Sequence, residues 1–204
     1  MFNRVSIIVP VHGKETQLDT LLGDLTPVSN VSEIIITSAG TRAESLNAGA
    51  AKSAREFLWF LHADTRVTAH NLKALERTLC EKPGRLHYFD LAFDKAGLPA
   101  LNAWGANMRS RLFGTPFGDQ GFCISKALFC KAGGFPEDTP YGEDLTFVWR
   151  ARQAGIMLNR IPSKLVTSAR KYRAYGWLGL TLQYQWRWIR LSVPEVLKLM
   201  RAGL

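Results

Sequence analysis

The chain has 204 residues, 47% of them hydrophobic, and a formal net charge of +9 at pH 7. This length and composition suit one domain with a sizeable core and exclude a disordered chain. The excess of 26 basic over 17 acidic residues favours an anionic partner, such as a nucleotide diphosphate, a nucleic acid or an acidic membrane surface.

Strand and helix patterns alternate through the first half of the chain. The predicted elements are a buried strand at 5–11, a helix at 15–25 with Pro27 just beyond it, a strand at 33–37, a small-residue helix at 43–55 and a buried strand at 57–61. Such alternation indicates an α/β fold, in which parallel strands are joined by right-handed crossovers.

The alternation becomes less regular in the second half. Here the predicted elements are a helix around 72–79, a strand at 86–93, a helix or lid-like segment at 98–118, helices at 126–132 and 143–154, short strands at 157–161 and 165–167, and a helical tail at 176–200 interrupted by Pro194. A short apolar run at 122–124 precedes the helix at 126–132. We therefore predict a mostly parallel central sheet flanked by helices, followed by a helical C-terminal tail.

Polar residues follow the apolar run at 57–61, beginning with His62, Asp64 and Thr65. They fall at the carboxyl end of a buried strand, where open α/β sheets bind ligands. Because side chains alternate along a strand, His62 and Asp64 should point to one spot, which suits a metal ion or a phosphate. The alternative is a plain strand-to-helix junction in which Asp64 or Thr65 caps the helix.

Three cysteines without a C-x-x-C pair indicate neither a disulfide framework nor a zinc site, and they predict a reducing, cytoplasmic location. No apolar run approaches the roughly 18 residues of a spanning helix. The tail nevertheless suits a peripheral contact with the inner face of an anionic membrane. The residues concerned are Trp177, Trp186, Trp188, Ile189 and Leu191, with Arg187, Arg190, Lys198 and Arg201. The same residues would equally cover the sheet or form a homodimer contact.

Several motifs occur in a characteristic order along the chain. They are the S-I-I-V-P-V strand at 6–11, Arg42-Ala43 with L-N-A-G-A at 46–50, F-L-H-A-D-T at 60–65, G-D-Q-G at 118–121, G-G-F-P at 133–136 and the pair Glu143-Asp144. In this order the chain resembles small bacterial family 2 glycosyltransferases of the GT-A fold, in particular the short subgroup in which H-A-D-T replaces D-x-D. The resemblance extends to about residue 170 and is more specific than any single motif.

The resemblance implies an inverting transfer of a sugar from a nucleotide-diphospho-sugar to an acceptor hydroxyl, in the hexosyltransferase class. Asp64 corresponds to the D-x-D aspartate that holds Mg²⁺ or Mn²⁺ on the donor diphosphate, and Asp144, beside Glu143, to the catalytic base. Asp119 and Gln120 match a motif that lines the acceptor side. Donor binding is expected at Pro10, Val11, Ser38, Arg42, Asn47, His62 and Ala63.

The resemblance also implies one glycosyltransferase domain over 1–204, with a nucleotide-sugar-binding half at 1–95, an acceptor and catalytic half at 96–170 and a helical tail at 171–204. The chain departs from the family after the second strand. Relatives have V-D-G-G-S there, and its aspartate contacts the nucleotide base. Here residues 33–41 run directly into Arg42, and Ser38 stands at the position of that aspartate.

Simpler explanations apply to several of these residues. Acidic residues such as Glu143 and Asp144 are favoured in the first turn of any helix by the helix dipole. Asp119 and Gln120 suit a turn in which a side chain bonds its own backbone. Lone basic residues are usually solvated, which applies to Lys14, Arg42 and Lys52.

Two other functions stay open. A sugar nucleotidyltransferase would share the fold class and an Asp-bound metal, but it would carry a glycine-rich, Arg-containing loop after the first strand, and this chain has P-V-H-G-K there. A glycosyltransferase-like binding protein without turnover is the second alternative. We expect no nucleic-acid partner, because the aromatic and basic residues form no recognisable RNA-binding motif.

Overall fold

A six-stranded sheet in the order β2-β1-β3-β5-β4-β6 forms the centre of the computed structural model. The structure describes residues 1–13, 16–170, 172 and 176–201, the last three as backbone only. The strands are β1 Val5–Pro10, β2 Glu33–Thr37, β3 Phe57–Phe60, β4 Leu86–Phe93, β5 Cys123–Ser125 and β6 Leu158–Thr167. The helices are α1 Leu18–Ser29, α2 Arg42–Lys52, α3 Ala69–Glu81, α4 Leu98–Phe113, α5 Lys126–Lys131, α6 Glu143–Gln153 and α7 Trp177–Arg201.

All strands except β5 run in one direction. β1 pairs in parallel with β2 and β3, and β4 pairs in parallel with β6. β5 lies between β3 and β4 and is antiparallel to both. The predicted α/β fold with a mostly parallel central sheet is therefore confirmed. Because the parallel strands share a direction, the carboxyl ends of β3, β4 and β6 lie at one edge of the sheet.

Both faces of the sheet are buried, which explains the unbroken apolar runs in its central strands. Every residue of β1 and of β3 is buried. Helices α1 and α3 cover one face, where Trp59 and Phe89 are central, and α2, α5 and α6 cover the other around Phe147. The small residues of α2 allow close packing, since a Cβ at Gly49 would lie 2.4 Å from Ile8 Cγ2.

The structure differs from the sequence prediction at the prolines. Helix α1 continues through Pro27, and α7 continues through Pro194. A proline removes one backbone donor, and tertiary packing holds the rest of each helix. The two short strands predicted at 157–161 and 165–167 are one strand, β6. Its pairing with β4 shifts in register between Phe89 and Asp90, and this irregularity accommodates Pro162 on an edge strand.

Other boundaries also move. Part of the helix predicted at 15–25 falls on Glu15, outside the described residues, and α1 begins at Leu18. The segment at 98–118 contains a regular helix, α4, which ends at Gly114 in the left-handed conformation. Neither Asp64 nor Thr65 caps a helix, because Thr68 caps α3 in a capping box with Asn71. None of the described helices is long and apolar enough to cross a membrane.

Candidate functional site

A cavity of about 390 Å³ opens at the edge of the sheet where β3, β4 and β6 end. Its other walls come from the start of α2, from α4, from the turn at 117–119, from the start of α6 and from α7. It brings together six residues predicted from the sequence, namely Arg42, His62, Asp64, Asp119, Glu143 and Asp144. The other predicted residues do not line it; they are Pro10, Val11, Ser38, Asn47, Ala63 and Gln120.

His62 and Asp64 lie in a turn directly after β3. Strand β3 ends at Phe60, so the turn, closed by Thr65 N donating to His62 O at 3.0 Å, brings the two side chains to the cavity. Thr167 Oγ1, at the end of β6, donates to Asp64 Oδ1 at 3.3 Å. The Asp64 carboxylate is thereby oriented by a neutral hydroxyl.

Arg42, the first residue of α2, connects two of the predicted positions. Its Nη1 donates to Glu143 Oε1 at 2.7 Å, and its Nη2 contacts His62 Nε2. Glu143 is largely buried, with 13% of its side chain exposed. The Glu143 carboxylate is therefore engaged in an ion pair with Arg42. Through this pair, Glu143 holds the Arg42 guanidinium in place.

Asp144 is the second residue of α6, and two backbone groups fix its carboxylate. Gly118 N donates to Oδ2 at 2.7 Å, and Leu145 N donates to Oδ1 at 2.8 Å. Gly118 permits this approach, because a Cβ there would lie 2.7 Å from Arg42 Nη2 and 3.2 Å from Asp144 Oδ2. A carboxylate oxygen can accept more than one hydrogen bond, so Asp144 retains acceptor capacity toward a ligand.

Asp119 and Gln120 are neighbours with different environments. The Gln120 amide is fully buried and saturated, since Oε1 accepts from Ser110 Oγ at 2.8 Å and from Phe117 N at 3.1 Å, while Nε2 donates to Phe89 O at 2.9 Å. Asp119 lines the cavity, and its Oδ1 is buried without a hydrogen-bond partner in the described part of the chain. Of the two, only Asp119 has a free polar atom for a ligand.

The charges around Asp119 are incompletely balanced. The pKa of Asp119 is raised to about 6, chiefly by burial and then by the nearby Asp144 and Asp64 carboxylates, against the opposing effect of Arg109 and Arg42. Carboxylates that lie close together repel one another, which disfavours the ionised form of the most buried one. A cation bound beside these carboxylates would relieve their mutual repulsion.

Arg109 of α4 also lines the cavity, although the sequence analysis did not single it out. Its guanidinium carbon lies 3.6 Å from the centre of the Phe117 ring, and its Nε donates to Thr115 O at 3.3 Å. Its Nη2 is buried and has no partner among the described residues. Burial lowers the pKa of Arg109 to about 10, so the side chain remains cationic at neutral pH.

Helix α7 forms a wall of the cavity, which the sequence patterns did not indicate. Its contributions are Thr181, Tyr184, Gln185, Arg187, Trp188 and Leu191. The helix packs directly behind the start of α6, because a Cβ at Gly142 would lie 2.3 Å from Leu191 Cδ1. The Arg187 guanidinium stacks 4.7 Å from the centre of the Tyr141 ring. The inner face of the tail thus has a structural role beside the Glu143-Asp144 pair.

The residues predicted for donor binding at the ends of β1 and β2 lie beside one another, outside the cavity lining. Pro10 is buried, and Val11 N donates to Thr37 O at 2.8 Å. Ser38 follows directly and is exposed. The connection from β2 to α2 is short and closed on itself, since Ser45 Oγ donates to Ala39 O at 2.7 Å and accepts from Ala39 N at 2.9 Å.

Asn47 has a structural environment. Its Nδ2 donates to Phe135 O at 2.8 Å and to Glu137 Oε1 at 2.7 Å, and its Oδ1 accepts from Phe135 N at 3.0 Å. It therefore fastens the G-G-F-P segment to α2. Ala63 belongs to the buried core. Of the lone basic residues, Lys52 is exposed at the end of α2, and Lys14 lies outside the described residues.

A metal site at Asp64 is compatible with these surroundings. No group of three or more His, Cys, Asp or Glu side chains within 1–13, 16–170, 172 and 176–201 is placed to hold a metal ion. Mg²⁺, however, is often bound by one or two carboxylates together with substrate phosphates and waters, rather than by a cage of protein ligands. Asp64 fits such a site as a protein ligand, whereas His62 already faces the Arg42 guanidinium.

Replacing Asp119 by asparagine should stabilise the protein at neutral pH. Because the pKa of Asp119 in the folded protein is about 6 against an ordinary value of 3.8, ionisation opposes folding, and the penalty builds up between these two pH values and stays constant above them. We expect Asp119→Asn to raise the free energy of unfolding by roughly 1 to 3 kcal/mol at pH 7.5 and to change it little at pH 4.

Urea unfolding in metal-free buffer at both pH values measures this difference. Asp19→Asn is the matched control, since Asp19 is exposed on α1 and should give no gain at either pH. An equal loss of stability in Asp119→Asn at both pH values would contradict the assignment and would make Asp119 a structural hydrogen-bonding residue.

Comparison with known proteins gives structural matches alone. No protein-family model and no curated protein matches the sequence. The structure of S. aureus TarS 1–349 superposes with a TM-score of 0.62 at 15% identity, covering 81% of this chain and 60% of that one. The complex of TarS 1–349 with UDP-GlcNAc has a TM-score of 0.61 at 15% identity and covers 82% of this chain and 59% of that one. The complex with UDP has a TM-score of 0.60 at 15% identity and covers 81% of this chain and 60% of that one.

The chain therefore spans about three-fifths of the length of these TarS structures. TarS is a glycosyltransferase of the GT-A type, and the chain shares the fold of its glycosyltransferase domain. The predicted fold family is thus confirmed at the level of architecture. At this identity the likeness concerns the fold, and the chemistry has to be argued from the cavity.

Proposed function

We propose that the protein is an inverting, metal-dependent glycosyltransferase of the short family 2 subgroup with H-A-D-T, which moves a hexose from a nucleotide-diphospho-sugar to an acceptor hydroxyl. The observation that carries the proposal is the convergence of Asp64, Asp119 and Asp144 in one cavity at the carboxyl edge of the sheet. Structures with the same fold are known with UDP and with UDP-GlcNAc, which supports a nucleotide-sugar donor.

The donor diphosphate belongs near Asp64 and Arg42. Asp64 would hold Mg²⁺ or Mn²⁺, which when bound supplies Lewis-acid stabilisation of the departing nucleoside diphosphate. Arg42 places a guanidinium beside the same turn, and the ion pair with Glu143 fixes its direction. Glu143 is therefore a positioning residue, and we expect its loss to be milder than the loss of either aspartate.

The acceptor belongs near Asp144 and Asp119. Asp144 takes the proton of the acceptor hydroxyl, the acceptor oxygen bonds to the anomeric carbon, and the nucleoside diphosphate leaves with the electron pair of its bond. One base and one displacement account for inversion. Asp119, with its free Oδ1, accepts a hydrogen bond from a second acceptor hydroxyl, and Arg109 partly balances its charge.

Release of UDP from UDP-sugars in the presence of Mn²⁺ tests the proposal against its rivals. We expect slow hydrolysis of a UDP-hexose even without an acceptor, because water can occupy the place of the acceptor hydroxyl. A binding protein without turnover would bind UDP and release none from the sugar nucleotide. Formation of UTP from UDP-sugar and pyrophosphate would instead establish a sugar nucleotidyltransferase.

We expect the protein to discriminate weakly between nucleotide bases, because Ser38 stands where members of the family that the chain resembles carry an aspartate. A hydrogen bond to a charged acceptor is worth about 1.5 to 3 kcal/mol, against about 1 kcal/mol for a neutral one. We therefore expect UDP and GDP to bind with similar affinities, and Ser38→Asp to tighten UDP about tenfold without changing GDP. Ser38 is exposed beside Val11, so the longer side chain can be accommodated.

Titration calorimetry of both nucleotides against wild type and Ser38→Asp gives the affinities. Ser38→Asn is the matched control, since it adds the same length without the charge and should leave the UDP affinity within about twofold. A wild-type protein that prefers UDP a hundredfold would show that another residue reads the base.

A further inference from the structure

The outward face of α7 carries a row of large apolar side chains. They recur every three or four residues and are each between 46% and 63% exposed; they are Leu178, Leu182, Trp186, Ile189, Val193 and Leu197. This spacing places them on one side of the helix. A continuous exposed apolar row is unusual on a protein surface and marks a surface that contacts another phase or molecule.

The opposite face of α7 is already engaged with the rest of the protein. Trp188 Nε1 donates to Thr115 Oγ1 at 3.1 Å, and Trp149 Nε1 on α6 donates to Ser192 Oγ at 3.4 Å. Leu180 and Ser192 are buried on the same side. The helix is thus held to α4 and α6 through its inner face, and the apolar row lies on its exposed side.

Helix α4 lies beside α7 and is similarly apolar on its exposed side. Trp177 Nε1 donates to Leu98 O at 3.0 Å, and Asn102 Nδ2 donates to Thr181 Oγ1 at 2.8 Å, which joins the two helices near their first turns. Five large apolar residues of α4 are more than half exposed, namely Leu98, Leu101, Trp104, Leu112 and Phe113. The exposed apolar surface therefore extends over two neighbouring helices.

The same two helices carry much of the positive charge of the chain. Together they contain six basic residues and one acidic residue. Arg109 is buried, Arg111 pairs with Asp90 and Arg187 lines the cavity, whereas Lys198 is exposed. The single acid, Glu195, is engaged by Gln153 at 2.6 Å and by Lys198 at 2.7 Å. Arg190 is exposed beside the apolar row. A second copy of this face would bring like charges together, whereas an anionic surface complements it.

We propose that α7, with α4 beside it, is a docking face for the surface of an anionic lipid membrane. The helix lies in the plane of the interface, with its apolar row among the acyl chains and the exposed Arg190 and Lys198 at the headgroups. None of the described helices can span a bilayer, so the contact is peripheral. Because the inner face of α7 lines the cavity, docking also places the cavity beside the membrane surface.

Vesicle flotation tests this directly. The purified protein is mixed with vesicles of phosphatidylcholine containing 30% phosphatidylglycerol, or of phosphatidylcholine alone, at low and high salt. We expect wild type to float with the anionic vesicles at least tenfold more than with the neutral ones, and less at high salt. The double variant Leu182→Glu/Trp186→Glu should lose flotation about tenfold or more, and Arg190→Glu should lose part of it.

The matched control is Val31→Glu/Ile36→Glu, which makes the same charge change at two exposed apolar residues, one just before β2 and one within it, and should float like wild type. UDP calorimetry without vesicles checks that each variant is folded, and it distinguishes a failure of docking from a failure of the proposed activity. No flotation of wild type, or equal flotation with neutral vesicles, would overturn the proposal. So would a wild-type dimer in solution that the Leu182/Trp186 variant dissociates, since the face would then join two copies.

Discussion

Asp144→Asn should lower kcat about 100-fold or more while the affinity for UDP stays within about twofold of wild type. The asparagine keeps the shape of the side chain and an oxygen that can accept from Gly118 N, so the local structure should persist. It cannot take a proton from the acceptor hydroxyl. The loss therefore falls on the chemical step, and donor binding at Asp64 and Arg42 should be unaffected.

The kcat of the variant is measured as UDP release at saturating donor, and its affinity by calorimetry. Asp19→Asn, an exposed aspartate in the first turn of α1, is the matched control and should retain full activity. Glu143→Gln should be milder, because Glu143 acts through Arg42. Near-normal turnover in Asp144→Asn would exclude it as the base, and Asp119 would then be the next candidate.

Asp64→Asn should abolish the effect of Mn²⁺ on UDP binding. In wild type we expect UDP to bind at least tenfold more tightly with Mn²⁺ than without, because Asp64 would hold the ion and the ion would offset the charge of the diphosphate. In the variant the two affinities should be equal. His62 is a poor replacement, since imidazole is a weak ligand for hard Mg²⁺ and here it faces a guanidinium.

The mutation removes one charge from the cavity, and the Thr167 hydroxyl can still hydrogen-bond to the asparagine side chain. The fold should therefore be retained. Calorimetry of UDP with and without Mn²⁺, on wild type, Asp64→Asn and the Asp19→Asn control, gives the comparison. If Mn²⁺ still strengthens UDP binding in Asp64→Asn, other residues hold the metal. Asp64 then does not have the metal-binding role of the D-x-D aspartate.

Much of the fold could be predicted because its central strands, β1 and β3, are buried on both faces and β2 at the edge is also a short apolar run. The apolar runs that became β1, β2 and β3 stand out without alternation, and β4 was predicted with the bounds it has. Strand order was not predictable, since β5 is three residues long and its place between β3 and β4 depends on pairings distant in sequence. Prolines misled the prediction where packing overrides local propensity, as at Pro27 and Pro194.

The candidate site could be predicted in part for a different reason. Asp64 lies in a motif that follows strand β3, and Asp144 lies in a motif that begins helix α6. Both residues can therefore be predicted from the sequence. Arg109 was missed because its burial against Phe117 arises only in the folded chain. The same applies to Tyr184 and the other residues of α7, whose contribution to the cavity depends on how the tail packs. Gln120 is the opposite case, because the motif predicts a contact with the acceptor substrate. In the structure its amide is fully hydrogen-bonded within the protein, to Ser110 and to Phe89.

A crystal structure of the protein with UDP and Mn²⁺, measured at a wavelength where manganese scatters anomalously, would locate the donor and the metal together. We expect one manganese peak in contact with the Asp64 carboxylate and the diphosphate of UDP, with the Asp119 and Asp144 carboxylates facing the space beyond the diphosphate. UDP bound away from the cavity at the ends of β3, β4 and β6, or manganese bound without contact to Asp64, would contradict this expectation.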